Sequence, residues 1–282
     1  EGDLSGTVPS YVSAGSEDLL EVMRHAQSKH PKVKAAFTLQ EFVEGTCVST
    51  ECWFDGNQVI EGLTNHTIER KHLMNDDTGP SGGCTGNVVW ACGDCSICDQ
   101  TVYKLIPFLQ SHGYVGPIDV NAVVDKEGGA YGLEFTPRFG YDAFPTFLNL
   151  LDGAVGELLA GDGLVGLKRG FAAGVRVTLS PWPAEKHKGP EGLPIRGLNR
   201  SRLEHFYIYD VMEDVEGNLC TAGGYGIIGV ANGYGENIEQ AFSQAYRLVD
   251  RLEIPDKQFR TDLSEVCQKD FRALNRSLRM VA

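Results

Sequence analysis

Three residues in one short stretch are of the types that hold a metal-bound phosphate: Asp119, Glu134 and Arg138, within GPIDVNAVVDKEGGAYGLEFTPRFGYD (residues 116–142). Both carboxylates interrupt otherwise apolar runs, where burying a charge is costly unless something neutralises it. A hard cation such as Mg²⁺ does so, held by one or two carboxylates together with substrate phosphate oxygens. The competing reading is plainer: each acid sits at a strand end, facing water or paired with Arg138. For either acid alone the plain reading is the better one. For the three in this order, a metal–phosphate site is the better one.

These groups need positioning elements. Ile118–Val124 and Ala130–Phe135 are two β-rich runs separated by the polar, glycine-containing break 125–129, which is a hairpin signal. Side chains alternate faces along a strand, so Asp119 and Glu134 are expected to point into one cleft, with Arg138 just past the strand end.

Composition narrows the classes. At 282 residues with 42% apolar content the chain can bury one large core or two ordinary ones. Thirty-four glycines favour a loop-rich protein of mixed helix and strand over a helical bundle. The net charge of −13 argues against nucleic-acid or anionic-membrane partners, while leaving room for a local basic pocket. No run reaches the roughly 20 apolar residues that span a bilayer, and no secretory leader pattern opens the chain.

LEFTPRFGYD resembles the LEFNxRFG signature of phosphoribosylamine–glycine ligases, in the ATP-grasp superfamily, with Glu134 at the Glu and Thr136 at the Asn that together hold the magnesium there. Three further segments resemble that family in the same order. The run 37–45 (FTLQEFVEG) is similar to the adenine hinge VVIEEFLEG, which implies nucleotide contacts at Glu41, Phe42 and Val43; Cys47 stands where a ribose-binding Glu is usual. Residues 65–86 (NHTIERKHLMNDDTGPSGGCTG) resemble DHKR…GDTGPNTGGMG, which implies a phosphate-binding role for Lys71 and a loop lining the site. Residues 221–246 resemble the C-terminal domain pattern TxGGRVLxVxxxGxxLxxAxxxAY, with Tyr225 in place of Arg. The glycine-rich start around Gly6 is either an ordinary turn or the family's flexible loop over the nucleotide.

The resemblance implies an α+β architecture: an ATP-grasp fold of antiparallel-sheet subdomains with flanking helices over 1–165, incomplete at its N-terminus, and a small β-rich domain over 170–282 that closes the active site. It implies a cytoplasmic ligase using ATP with Mg²⁺ (or Mn²⁺) to join glycine to phosphoribosylamine through an acyl phosphate. Lys71 and Arg138 would be the catalytic cations, and Glu134, Thr136 and Asp119 would hold the metal. The alternatives are a ligase with another amine or carboxylate, or a non-catalytic nucleotide-binding module. The chain opens on Glu1, read as a natural start that is missing, so this piece alone is expected to be inactive.

The other elements follow from pattern. A helix is expected over 16–28 with Leu19, Leu20, Val22, Met23 and Ala26 buried, and another over 99–113. Strands are expected at 37–43, 48–54, 59–63, 173–179, 206–212 and 220–231, and helices at 238–252 and 261–274. Cys84, Cys92, Cys95 and Cys98 include a C-x-x-C-x-x-C run, similar to part of an iron–sulfur motif or a zinc knuckle. The alternative, preferred on the cytosolic reading, is that all eight cysteines are reduced thiols.

Overall fold

A computed structural model of the chain describes residues 11–29, 39–93, 95–161, 165–179 and 189–278. The Gly6 loop lies outside them, as does much of the loop expected at 180–194. Residues 1–44 form one compact unit and 45–282 another.

In the first unit, α1 (Ser16–Lys29) opens where Asp18 accepts hydrogen bonds from the Ala14 backbone N–H, at 2.8 Å, and from the Tyr11 hydroxyl. The expected stripe is not buried: Leu19, Val22 and Met23 are half-exposed, and Leu20 and Ala26 are exposed. Nor do residues 39–43 form a strand; Glu41, Phe42 and Val43 lie in irregular backbone, with Phe42 exposed.

The second unit is built on strands β1 (Thr46–Phe54), β2 (Asn65–His72) and β3 (Ser81–Ala91), then short α2 (Ser96–Gln100) and α3 (Ile106–Ser111). Next come β4 (Gly116–Val124), β5 (Ala130–Thr136), α4 (Ala143–Leu150), β6 (Leu151–Asp152), α5 (Val155–Ala160), β7 (Gly166–Leu167) and β8 (Phe171–Thr178). The chain continues through β9 (Glu191–Pro194), α6 (Arg200–Leu203), β10 (Phe206–Ile208), β11 (Val211–Glu213), β12 (Leu219–Ala222) and β13 (Ile227–Gly235). It ends in α7 (Ile238–Arg251) and α8 (Leu263–Leu278). Eight strands form one antiparallel sheet in the order β10-β13-β8-β3-β2-β1-β4-β5. The boundary expected at 161–170 falls inside this sheet, because β8 pairs with β3.

Strand alternation divides the sheet into two unlike faces. Val48, Cys52, Phe54, Ile68, Val88, Trp90, Val120 and Val175 point one way and form the main core with Phe242 and Val249 of α7 and Leu263 and Cys267 of α8. The reverse face carries polar residues and is covered in part by α4, through the clusters around Trp53, Phe147 and Leu151 and around Val89, Leu150 and Ala172.

Several expected elements are redrawn. The 59–63 strand reduces to a single bridge at Val59, and the partner of β1 is β2, inside the segment read as a loop. The 99–113 helix is broken into α2, a 3₁₀ turn at Val102–Leu105 and α3, where Pro107 lacks the N–H needed to continue an α-helix from the preceding turn. The 206–212 strand bends between β10 and β11, which join different sheets. The 220–231 strand splits into β12 and β13 around Gly223 and Gly226, both at positive φ that other residues rarely adopt.

Helix α7 lies so close to β13 that a Cβ at Gly233 would overlap the backbone of Ala241 and Ala245. Backbone cannot rotate away as a side chain can. Gly233→Ala is therefore expected to destabilise the fold by about 1–3 kcal/mol, read as a lower urea midpoint. An unchanged midpoint would mean that the helix stands off the sheet.

Candidate active site

The polar face is densest at the β1–β4–β5 edge. β4 is central there: Asp119 is opposite Glu51 of β1 and Thr136 of β5, and Asn121 is opposite Ser49 and Glu134. Directly opposed residues in an antiparallel pair share a face, so all six side chains project together. The row extends onto β2, where Asn65 is opposite Glu51 and Thr67 opposite Ser49.

Asp119 is 7% exposed and accepts hydrogen bonds from Thr136 Oγ1, at 3.0 Å, and from Ser49 Oγ. Burial raises its pKa, while these hydroxyls and the Arg138 guanidinium pull the other way. Glu51 is 8% exposed, and burial, then the neighbouring Asp119 charge, pushes its pKa up to about 8. Glu134 is exposed, with Asn121 Nδ2 donating to its Oε1 at 3.3 Å. A bulge between Asn121 and Ala122 leaves Leu133 as the extra residue and keeps Glu134 on the Asn121 side.

This donor set is all oxygen: three carboxylates, an amide and two hydroxyls. Hard divalent cations such as Mg²⁺ take such donors. The buried Asn65 Oδ1, which has no hydrogen-bond partner among the described residues, adds an acceptor to the same face. The residues present thus fit a magnesium ion at this edge.

Of the sequence candidates, Asp119, Glu134 and Thr136 come together, with Arg138 near enough to act on Asp119 electrostatically. Thr136 spends its hydroxyl proton on Asp119. Lys71 is half-buried at a bulge between Arg70 and His72, where the alternation of β2 breaks. Glu41, Phe42 and Val43 belong to the first unit. The sequence reading missed Glu51, Ser49, Asn65 and Asn121. For Ser49 and Glu51 the signal was present in β1, where Ser49, Glu51 and Trp53 alternate with Val48, Thr50, Cys52 and Phe54.

The segment after Thr136 is pinned across the sheet by a buried ion pair. Arg176 Nε donates to Asp142 Oδ2 at 2.7 Å, its Nη2 reaches the same oxygen, and its Nη1 donates to the Gly82 carbonyl at 2.6 Å. Burial raises the Asp142 pKa against the Arg176 charge. Asn87 Nδ2 donates to the Asp142 carbonyl at 3.2 Å, and Thr146 Oγ1 to Asn232 Oδ1 at 2.8 Å. Asp77, expected to line the site, is instead held by Arg70 at 3.3 Å and by Arg260. Its loop borders a cavity of about 450 Å³, shared with residues 257–261 and containing Arg176, Lys257 and Arg260.

Two outcomes follow from these charges. The folded-state pKa of Glu51 lies above its ordinary 4.5, so the unfolded chain loses this proton first and stability falls as pH rises from 4.5 to about 8. Glu51→Gln should remove that slope, gaining on the order of 5 kcal/mol over wild type at the alkaline end relative to the acid end; parallel pH profiles would refute the buried acid. Arg176→Met leaves Asp142 charged and alone and should cost about 3–5 kcal/mol, much of it recovered when Asp142→Leu is added, as chemical denaturation of the single and double variants will read.

No family model matches the chain. The phosphoribosylamine–glycine ligase of Neisseria meningitidis serogroup B is 23% identical over 261 residues, covering 86% of this chain and 58% of that protein. The crystal structure of a phosphoribosylamine–glycine ligase from Thermotoga maritima superposes with a TM-score of 0.60 at 24% identity, over 79% of this chain and 56% of that one. The biotin carboxylase domain of Hydrogenobacter thermophilus 2-oxoglutarate carboxylase, solved with MgADP and bicarbonate, gives 0.52 at 14% identity, over 92% and 59%. The chain therefore spans a little over half the length of these proteins. In sequence the chain is thus similar to phosphoribosylamine–glycine ligases, and in fold to solved structures of such a ligase and of a biotin carboxylase domain.

Proposed function

We propose that the chain is part of an ATP- and Mg²⁺-dependent ligase that joins glycine to phosphoribosylamine in purine biosynthesis. The observation that carries this reading is the oxygen-lined edge at Glu51, Asp119 and Glu134, on the face where the family's metal signature lies. Glu134 and Asp119 would hold the magnesium, which when bound neutralises the crowded phosphate oxygens of the nucleotide. Lys71 would meet the nucleotide's phosphates.

The chemistry asked of the protein is alignment of anions more than covalent catalysis. The glycine carboxylate attacks the γ-phosphorus of ATP and ADP leaves; the amine then attacks the resulting acyl phosphate and inorganic phosphate leaves. Arg138, beside Asp119, supplies a fixed positive charge where the carboxylate and phosphoryl oxygens crowd. The cavity bordered by Arg176, Lys257 and Arg260 suits the phosphate of the amine substrate. Residues 1–165 would serve the nucleotide and 170–282 would close over it, although both halves feed one sheet. The free cysteines accord with a cytoplasmic protein, and among the described residues no helix is long and apolar enough to cross a membrane.

Thr136, whose hydroxyl is turned to Asp119, favours a second reading in which nucleotide binds without turnover. ADP release by the natural full-length protein, supplied with glycine and phosphoribosylamine, separates the two. Glu134→Ala should lower that rate on the order of 10²-fold, with MgATP affinity measured by calorimetry in parallel. An unchanged rate removes Glu134 from the metal site, and binding with no turnover in wild type supports the module.

A further inference from the structure

The apolar face of the sheet holds one cluster that ATP-dependent ligation does not use. Beneath the β1–β2 pair, His66, Cys92 and Cys95 bring one ring nitrogen and two sulfurs within 4.8 Å of one another. Cys98 and Cys52 lie alongside, with their sulfurs 3.4 Å apart. We propose that His66, Cys92 and Cys95, with a fourth ligand from the Cys52–Cys98 pair, form a structural zinc site.

The geometry fits a single ion. Zinc takes sulfur at about 2.3 Å and imidazole nitrogen at about 2.0 Å in a tetrahedron, so its ligand atoms stand about 3.5–3.8 Å apart. The ligand atoms of His66, Cys92 and Cys95 all lie within 4.8 Å of one another, about an ångström from that spacing at most. An iron–sulfur cluster must fit several atoms between its sulfurs, and these sulfurs are too close for that. A ligating imidazole is also oriented by a partner on its other nitrogen. The Nδ1 atom of His66 lies 2.8 Å from Thr50 Oγ1, leaving Nε2 for the sulfurs.

Two of the sulfurs accept hydrogen bonds from polar groups. The Cys98 backbone N–H donates to Cys95 Sγ at 3.1 Å, and Thr64 Oγ1 to Cys52 Sγ at 3.7 Å. The five side chains are all buried, at most 6% exposed, so no open position is left for water or substrate. Closed four-ligand sites of this kind are structural. The ion would tie the 92–98 turn to β1 and β2 on the face opposite Glu51 and Asn65, the immediate neighbours in sequence of Cys52 and His66.

Metal analysis of the full chain, purified anaerobically without chelator, is expected to give one zinc per chain. Replacement by Co²⁺ should produce the visible bands of tetrahedral sulfur ligation. Cys95→Ser should lose the metal, and Cys267→Ser, outside the cluster, should keep it. Because Cys95→Ser can also unfold the chain, the deciding variant is Thr50→Val, which keeps every ligand: chelator competition should show zinc held about 10–100-fold more weakly. Zinc well below one equivalent, iron with acid-labile sulfide in its place, a mapped Cys52–Cys98 disulfide, or Thr50→Val affinity equal to wild type would each overturn the proposal.

Discussion

Two acids, Glu51 and Asp119, sit side by side across β1 and β4, both almost wholly removed from water. A sheet does not tolerate this for packing reasons alone. The local response is visible in the hydroxyls of Ser49 and Thr136 that serve Asp119, while burial and the Asp119 charge push the Glu51 pKa up to about 8. Strand alternation gives the arrangement its coherence. Cys52 beside Glu51, and Ile118 and Val120 beside Asp119, point the other way into the apolar core. A divalent ion arriving there would displace a proton from Glu51, which couples metal affinity to pH through the same pair.

The β4–β5 hairpin was legible because two β-rich runs flank a short polar break and the turn carries its own chemistry. Asp125 Oδ1 accepts from Glu127 N at 2.9 Å and from Gly129 N at 2.8 Å, closing the turn where the sequence breaks polar. Glu51 was harder to see. It sits in TCVSTECWF, where Thr50 faces the core and blurs the alternation. β2 was misread because NHTIERKH is polar on nearly every residue, and only its neighbours reveal that His66 and Ile68 are buried.

Other misses came from tertiary context. Leu19 and Val22 make a good helical stripe, yet in α1 they stay half-exposed, since periodicity states which side is apolar and not whether anything covers it. Asp77 belonged to a motif that pointed to the active site, and Arg70 and Arg260 engage it instead. Those arginines lie far from it in sequence or on a neighbouring strand, so local spacing carries no trace of the contact. The cysteine run shows the reverse case. C-x-x-C-x-x-C is visible at once, but the imidazole that completes its surroundings comes from a strand more than twenty residues upstream.

The pairing of β3 with β8 joins residue 86 to residue 175 and leaves the sheet dependent on a contact across nearly ninety positions. Non-local pairing of this kind slows folding, because chain closure comes before the reward of contact. As the polypeptide leaves the ribosome, β1 to β5 are complete while β3 still presents an unpaired edge bearing Val88, Val89 and Trp90. Such an edge is a template for another chain. The nascent protein therefore passes through a sticky interval that ends only when β8 emerges and docks.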